Sequence, residues 1–208
     1  MNNTNRFNGR AETYSKYRPS YPIELINNLK TEHHLDEHTI IADIGSGTGI
    51  LTKKLLEYNF KVFAIEPNTE MRKIAENRLK DYHLFTSING TAENTTLNSN
   101  SVDFITVAQA FHWFDPISFK SECRRILKPF GKVMIISNSR VIESSIIQEI
   151  ISIYTKYCPD FHGFSNGLDD SKEIFDVFFL EEKYNYISYN YPLTYNKSSF
   201  IGRHLSAS

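Results

Sequence analysis

IIADIGSGTGILTKKL, at residues 40–55, is the stretch of sequence that decides the fold. Its β-branched, apolar start is typical of a buried strand, and the start ends abruptly at three alternating glycines. Leucines at helical spacing follow the glycines, so the stretch predicts a strand, a tight turn and a helix. Gly45, Gly47 and Gly49 let the main chain turn sharply and let a ligand approach the backbone without a Cβ atom in the way.

The same alternation of strand and helix continues along the chain. Short apolar runs predict further β-strands at residues 61–65, 84–88, 102–108 and 132–137. Helical spacing of apolar residues predicts helices at residues 71–79, 117–127 and 142–157. Because strands that alternate with helices build parallel sheets, we expect an α/β fold: a Rossmann-like, doubly wound, mostly parallel sheet with helices on both faces.

The remaining segments carry weaker patterns. Residues 11–30 predict two short helices that are interrupted at Arg18-Pro19. Four further patterns predict a turn at residues 128–131, a loop at residues 161–170, a late strand at residues 183–195 and a helix at residues 198–205.

Length and charge restrict the class of protein. The chain has 208 residues, with 23 Lys and Arg against 24 Asp and Glu, which favours one domain and argues against a protein that coats nucleic acid phosphates. The first residues contain no apolar signal segment, and no stretch is apolar enough to span a bilayer. We therefore expect a cytoplasmic protein that uses neither nucleic acid nor membrane as a partner.

An acidic residue follows the glycine turn at the distance that nucleoside cofactors require. Glu66 ends the second predicted strand, where its carboxylate can accept hydrogen bonds from both hydroxyls of a ribose. The spacing G-x-G-x-G differs from the G-x-G-x-x-G of dinucleotide folds and lacks the third glycine that packs the helix closely, which weakens a nicotinamide interpretation. No Gly-Lys-Ser or Gly-Lys-Thr follows, so a Walker phosphate loop is excluded.

Six blocks of sequence together resemble the class I S-adenosylmethionine-dependent methyltransferases, particularly a small-molecule group, similar to methyltransferase type 11, that carries an FHWF element. In chain order the blocks are FNGRAETYSKYRPSYP, IADIGSGTGILTKKL, AIEPN, GTAEN, SVDFITVAQAFHWFD and LKPFGKVMII, which span residues 7–136. The resemblance implies S-adenosylmethionine as the cofactor and direct in-line methyl transfer to a small-molecule acceptor.

The resemblance also implies a role for particular residues. In the family, residues at the ends of the strands hold the cofactor. The methionine end would be held by Asp43 and the turn of Gly45, Ser46, Gly47 and Gly49, with Ala108 and Gln109 beneath it. Glu66 would bind the ribose, and the adenine would lie against Pro67, Met71, Ala92 and Glu93. The N-terminal segment would fold over the cofactor as a lid that brings Tyr14, Tyr17 and Arg18 near its carboxylate and sulfonium.

The chemistry of methyl transfer suggests one catalytic candidate. A carboxylate acceptor needs no general base, whereas a hydroxyl or protonated amine does, and His112 has a suitable pKa range. A stacked or hydrogen-bonded wall residue is the alternative role for His112. The rings of Tyr14, Tyr17, Phe111 and Trp113 are candidates for a cluster that stabilises the cationic sulfur and excludes water, with plain packing as the alternative.

Other functions remain open at this stage. One is a regulatory module that binds the cofactor without turnover; another is an RNA or protein methyltransferase. The latter is disfavoured because residues 108–111 read AQAF in place of an N-P-P-Y type of motif. His33, His34 and His38 lie in a polar connection, so we predict no metal site there.

The resemblance divides the single domain into three parts. Residues 1–38 would form the helical lid, residues 39–137 the cofactor-binding core, and residues 138–208 the acceptor side. Family members close the sheet with two late strands, whereas only residues 183–195 offer a candidate here. We therefore expect a truncated chain, or a sheet left incomplete at its carboxyl end. The acceptor and the oligomeric state are not encoded in any motif.

Overall fold

Five parallel strands form one sheet in the computed structural model, which describes residues 9–164, 172–179 and 184–206. The strands are β1 (Ile40–Ile44), β2 (Lys61–Ile65), β3 (Phe85–Ile88), β4 (Val102–Ala108) and β5 (Leu127–Ile136). Their order across the sheet is β3-β2-β1-β4-β5. The order reverses between β1 and β4, so the carboxyl ends of these strands flank the crevice where open α/β sheets bind ligands.

Helices cover the sheet, as the spacing predicted. Within the described ranges they are α1 (Ala11–Tyr17), α2 (Ile23–Thr31), α3 (Ile50–Glu57), α4 (Thr69–Leu79), α5 (Pro116–Ile126), α6 (Ser145–Tyr157), α7 (Lys172–Phe178) and α8 (Lys197–Leu205). The predicted interruption at Arg18-Pro19 is confirmed between α1 and α2. None of the helices in this part of the chain has the length and apolar character needed to cross a bilayer.

Both faces of the sheet are buried, which is why β1 is apolar at every position except Asp43. Ile41 packs with Leu55 on one face, whereas Ile44 packs with Phe119 on the other. Successive strand residues point to opposite faces, so a strand covered on both sides is mainly apolar. The doubly wound sheet is therefore confirmed.

The prediction of a turn at residues 128–131, before the fifth strand, is wrong, because the structure places these residues inside β5. Leu127 pairs with Val102, yet Lys132 pairs with Phe104, so the extra β5 residues form a bulge between two stretches of regular pairing. Phe130 carries the distortion, with a φ of 66° and a side chain that is 99% exposed. The sequence has turn chemistry here, but the pairing resumes on the far side of it.

The late strand predicted at residues 183–195 is also wrong over its described part. Residues 184–195 form neither strand nor helix, and Tyr186 and Ile187 are exposed. An alternating pattern produces a strand only where a neighbouring strand offers hydrogen bonds, and β5 pairs with β4 alone in the described residues. The helix predicted at residues 198–205 is confirmed as α8. Residues 165–170, from the loop predicted at 161–170, lie outside the described residues.

Candidate functional site

The glycine turn leads from β1 into α3 and is hydrogen-bonded to the carboxyl end of β2. The backbone N–H groups of Gly45 and Ser46 both donate to the Ile65 carbonyl oxygen, at 2.9 and 3.1 Å. Gly45, Gly47 and Gly49 all have φ angles between 57° and 77°, the left-handed region that other residues rarely adopt. The turn is therefore fixed in shape by backbone hydrogen bonds within the chain.

The glycines differ in what surrounds them. A Cβ atom at Gly49 would lie 2.8 Å from Leu79 Cδ1, and one at Gly45 would lie 2.6 Å from Ala110 Cβ. A Cβ atom at Gly47 would approach only the Met71 sulfur, at 3.8 Å. Gly49 thus packs the start of α3 against α4, although the motif lacks the third glycine of dinucleotide folds. Gly47 is the glycine whose open side is available to a ligand.

Glu66 lies beside this open glycine. Its Oε2 atom accepts a hydrogen bond from the Gly47 N–H at 2.9 Å, and its Oε1 atom accepts one from the Asn68 N–H at 2.8 Å. The side chain is only 7% exposed. Burial raises the pKa of this carboxyl, and the two backbone hydrogen bonds oppose the rise. Each carboxylate oxygen can accept a second hydrogen bond, so the group can still bind a diol.

Two residues that sequence reasoning missed hold Glu66 in place. Asn68 caps α4, because its Oδ1 atom accepts from the Met71 N–H at 3.0 Å. Arg72 donates through Nη1 to the carbonyl oxygens of Glu66 and Pro67, at 2.8 and 3.3 Å. The Asn68 cap was detectable, since an asparagine directly before a helical pattern is a common start signal.

Asp43 is buried one residue before the end of β1. Its Oδ2 atom accepts from the Thr52 hydroxyl at 2.6 Å, and its Oδ1 atom accepts from the Thr106 hydroxyl at 2.9 Å. Burial raises the pKa of Asp43 to about 6, although both threonine hydrogen bonds lower it. Asp43 therefore ties β1 to α3 and β4, and its contact with the methionine end of the cofactor stays a prediction.

The end of β4 carries an unusual backbone. Ala108 pairs with Ile136, and Gln109 then takes a φ of 56° while its N–H donates to the Ile136 carbonyl at 2.9 Å. A non-glycine residue in this region is strained, and such strain concentrates at functional sites. Gln109 also lies next to the crevice where the order of the strands reverses, so the strain coincides with the predicted site.

Two residues predicted to line the adenine site have contacts within the chain. Ala92 is buried in the core on the β4 side of the sheet. Glu93 accepts a hydrogen bond through Oε1 from the Asp115 N–H at 3.0 Å, next to the start of α5. Both residues follow β3, so they lie on the loop that borders the same crevice; their contact with adenine stays a prediction.

His112 lies in the short 3-10 turn after β4, with its ring centroid 4.5 Å from that of Trp113. Phe111, one member of the proposed aromatic cluster, is buried in the core and packs on Phe119 and Phe178. Tyr17 packs on α8, because a Cβ atom at Gly202 would lie 2.6 Å from its ring. Packing was the alternative for these rings, and it applies to Phe111 and Tyr17.

Tyr14 of α1 and Arg18, the residue after α1, lie together on the side of the fold that faces Glu66. The Arg18 guanidinium carbon lies 4.6 Å from the centre of the Tyr14 ring. Burial raises the pKa of the Tyr14 hydroxyl, and the negative charge of Glu66 adds to the increase, which places Tyr14 within the electrostatic field of the ribose-binding candidate. Within the described ranges, no three His, Cys, Asp or Glu side chains come together as ligands of a metal ion would.

Comparison with known proteins agrees with this geometry. Residues 42–135 match a family model described as a methyltransferase domain. An uncharacterized methyltransferase from Mycobacterium tuberculosis is 37% identical over 134 residues, which are 64% of this chain and 52% of that protein. A demethylmenaquinone methyltransferase from Thermotoga maritima is 31% identical over 144 residues, covering 68% of this chain and 58% of its own. The chain thus spans little more than half the length of these relatives.

Solved structures show the same fold. The crystal structure of a SAM-dependent methyltransferase from Aquifex aeolicus superimposes with a TM-score of 0.55 and 23% sequence identity. The match covers 71% of this chain and 86% of that one. It supports the doubly wound architecture.

Proposed function

We propose that this chain is a class I S-adenosylmethionine-dependent methyltransferase that methylates a small-molecule acceptor; the match of residues 42–135 to a methyltransferase domain supports the proposal. S-adenosylmethionine is the cofactor of this family. When bound, it supplies a methyl group on a positively charged sulfur, so direct in-line displacement requires no covalent intermediate with the enzyme.

The observation that carries this proposal is the juxtaposition of Glu66 and Gly47. A buried carboxylate with free lone pairs lies against a glycine whose open side would accept a ligand. A ribose diol needs such an acceptor, and the close approach of a methionine moiety needs a backbone without Cβ. The residues present therefore fit the cofactor, with Glu66 on the ribose and the backbone of the glycine turn at the methionine end.

The rest of the site would orient the reactants and exclude water. Gln109 lies at the end of β4, where the methionine end would rest, while Pro67 and Met71 would lie beside the adenine. Tyr14 and Arg18 would cover the cofactor from α1, which packs against α4 and α8. Holding the acceptor in line with the carbon–sulfur bond is the main task of such a site, because alignment alone supplies much of the rate.

His112 is the candidate general base where the acceptor is a hydroxyl or an amine. It follows the carboxyl end of β4, on the same side of the sheet as the glycine turn. Single-turnover methylation by His112→Ala tests this role once an acceptor is known, and we expect a loss of about 100-fold. A rate within a few-fold of the parent would leave His112 as a wall residue.

A small acceptor is supported by the near-neutral charge of the chain and by one relative. The Thermotoga relative is named for the methylation of demethylmenaquinone, a small molecule. An RNA or protein acceptor would need a basic face or an amine-methylating motif after β4, and residues 108–111 read AQAF. A regulatory module that binds the cofactor without turnover is the alternative from another class.

Release of S-adenosylhomocysteine in the presence of a metabolite panel tests the proposal. The wild-type chain should release it with at least one acceptor, and Glu66→Gln should lower that rate at subsaturating cofactor. Glu57→Gln is a matched control, because it makes the same change on the partly exposed end of α3. Cofactor binding without release for any acceptor would favour the regulatory module, and absence of cofactor binding would contradict both functions.

A further inference from the structure

Three arginines from distant parts of the chain meet at the C-terminal end of α8. Arg18 follows α1, Arg140 follows β5, and Arg203 lies in the last turn of α8. Arg18 donates through Nη2 to the carbonyl oxygen of Ser206, the residue that caps α8, at 3.0 Å. Arg203 is therefore within one helical turn of the residue that Arg18 binds. We call these three side chains the arginine cluster.

Ring contacts bring Arg140 to the same place. Its guanidinium carbon lies 3.8 Å from the centre of the Phe164 ring, which packs edge-on against Tyr154. The Tyr154 hydroxyl lies 2.7 Å from Nδ1 of His204, the neighbour of Arg203 on α8. The last turn of α8 is thus flanked by Arg18 on one side and by the ring group that supports Arg140 on the other.

Carboxylates of the described residues do not neutralise the positive charges of the cluster, since none of the three arginines forms an ion pair with one. The Arg18 Nε and Arg203 Nη1 atoms are buried and have no hydrogen-bond partner among residues 9–164, 172–179 and 184–206. Buried polar atoms are almost always paired in native proteins, and unpaired buried charges are costly.

The electrostatics agree with this crowding of like charges. Burial lowers the pKa of Arg140 to about 10, and the charges of Arg203 and Arg18 are the next largest causes. Arg203 also lowers the pKa of Arg18, after burial. The helix C-terminus of α8 attracts Arg18 and accounts for part of its position. It does not account for Arg140, which contacts Phe164, nor for the unpaired nitrogen of Arg203.

The cluster borders the proposed cofactor site. The Tyr14 hydroxyl is influenced by Arg18 and Arg203 on one side and by Glu66 on the other. S-adenosylmethionine carries one carboxylate, one ammonium and one sulfonium, so it adds positive charge to the site. The two negative charges of Glu66 and Asp43 are fewer than the positive charges of the three guanidinium groups and the cofactor. An anion bound beside the cofactor would reduce this excess of positive charge.

We propose that Arg140 and Arg203 of the arginine cluster bind the methyl acceptor, and that the acceptor is a small anion with carboxylate or phosphate groups. This inference rests on the proposed function, because it assigns the acceptor for the same site. The planar guanidinium groups of Arg140 and Arg203 suit bidentate binding of such groups. Arg18 would remain available for the carboxylate of the cofactor, as its position beside Tyr14 suggests.

Calorimetric titration with glutarate and with inorganic phosphate, each in the presence of S-adenosylhomocysteine, tests the proposal. Glutarate probes a dicarboxylate acceptor and phosphate probes a phosphorylated one. At least one anion should bind the wild-type chain, and Arg140→Gln and Arg203→Gln should each weaken that binding by about tenfold or more. Arg124→Gln is the control, since it removes the same charge from the exposed side of α5 and should leave the affinity within about twofold.

Two results would overturn the proposal: no binding of either anion, or equal binding by the wild type and all three variants. The same titrations measure S-adenosylhomocysteine alone, which separates the two hypotheses. Tight binding of S-adenosylhomocysteine without anion binding would reject the arginine cluster as acceptor site and leave the proposed function intact. Failure to bind S-adenosylhomocysteine would reject the proposed function itself.

The melting temperature of Arg140→Met distinguishes an anion-binding role for Arg140 from a purely structural one, because the two roles predict changes of opposite sign. Arg140→Met keeps the aliphatic part of the side chain over Phe164 and removes one of three repelling charges. If the cluster is held ready for an anion, this variant should melt about 3 °C above the wild type without ligand. It should also lose the stabilisation that the bound anion gives the wild type. A lower melting temperature for Arg140→Met would show that Arg140 supports the fold instead.

Discussion

The two charged regions of this molecule differ in how their buried polar groups are satisfied. At the carboxyl ends of β1 and β2, both oxygens of Asp43 and both oxygens of Glu66 accept hydrogen bonds from the chain itself. In the arginine cluster, Arg18 Nε and Arg203 Nη1 have no such partner in the part of the chain that the structure describes. Carboxylates whose two oxygens are both hydrogen-bonded within the chain have a fixed geometry before a ligand binds. Arginine nitrogens without such partners favour a ligand of opposite charge.

On the proposed assignments, this contrast separates a cofactor site that the sheet preforms from an acceptor site that it does not. The glycine turn and Glu66 are built by strands whose pairing is set by the whole sheet. Arg140 and Arg203 belong to segments that follow the sheet and depend on local ring contacts. Each variant below tests one side of the contrast, in order of decreasing expected effect.

Gly49→Ala should cause the largest loss of stability. The new Cβ atom would lie 2.8 Å from Leu79 Cδ1, and the backbone would be held at a φ of 77°. We expect the free energy of unfolding to fall by about 3 kcal/mol in urea titrations. Gly9→Ala is the matched control, because Gly9 has a φ of 72° and no atom near its Cβ position. Equal losses in the two variants would show that packing on α4 does not constrain the turn.

Asp43→Asn should change how stability depends on pH. Because the pKa of Asp43 rises from its ordinary value of 3.8 to about 6 in the fold, the folded state holds a proton that the unfolded state has lost between these values. The stabilising contribution of protonated Asp43 is therefore lost as the pH rises through this window. Asparagine cannot ionise, so the stability of Asp43→Asn relative to the wild type should rise by about 2 kcal/mol from pH 4 to pH 6.5.

The check on Asp43 is a series of urea titrations across that pH range, with the exposed Asp81→Asn as the control. A flat difference between Asp43→Asn and the wild type would mean that Asp43 is not held in a desolvated site. It would also mean that the hydrogen-bonded Asp43 does not distinguish the strand ends from the arginine cluster.

Gly47→Ala should separate binding from stability. Its Cβ atom would meet only the Met71 sulfur at 3.8 Å, so the fold should lose about 1 kcal/mol, for the left-handed backbone alone. The same atom would project into the side of the turn left open for a ligand, and we expect at least about tenfold weaker binding of S-adenosylmethionine. Binding as tight as that of the wild type would show that the cofactor does not approach this glycine.

Gln109→Gly should give the smallest change in stability, in the favourable direction. Relief of the positive φ should add about 1 kcal/mol to the free energy of unfolding. Phe130→Gly is the matched control, because Phe130 has a φ of 66° on an exposed bulge of β5. Both variants should gain stability, yet only Gln109→Gly should slow methyl transfer. Unimpaired transfer by Gln109→Gly would make the strain at the end of β4 irrelevant to function.

The sequence predicted the glycine turn and its contact with Glu66 far better than the arginine cluster. The strand, glycine turn and Glu66 lie close together along the chain, so their spacing alone predicts their meeting. Arg18, Arg140 and Arg203 are far apart in sequence, and no pattern relates them. The packing of α8 against α1 brings Arg18 and Arg203 together, and Arg140 is held by its contact with Phe164. The bulge at Phe130 was missed for a similar reason, since pairing with β4 overrides the turn chemistry of the local residues.

Calorimetric titration of S-adenosylmethionine into the wild type, Glu66→Gln and Glu57→Gln tests the central claim most directly. Glutamine keeps the shape of the side chain but removes the charge that two ribose hydroxyls would meet. We expect about 100-fold weaker binding for Glu66→Gln and unchanged binding for Glu57→Gln. Equal affinity in all three proteins would contradict the assignment of Glu66 and the glycine turn as the cofactor site.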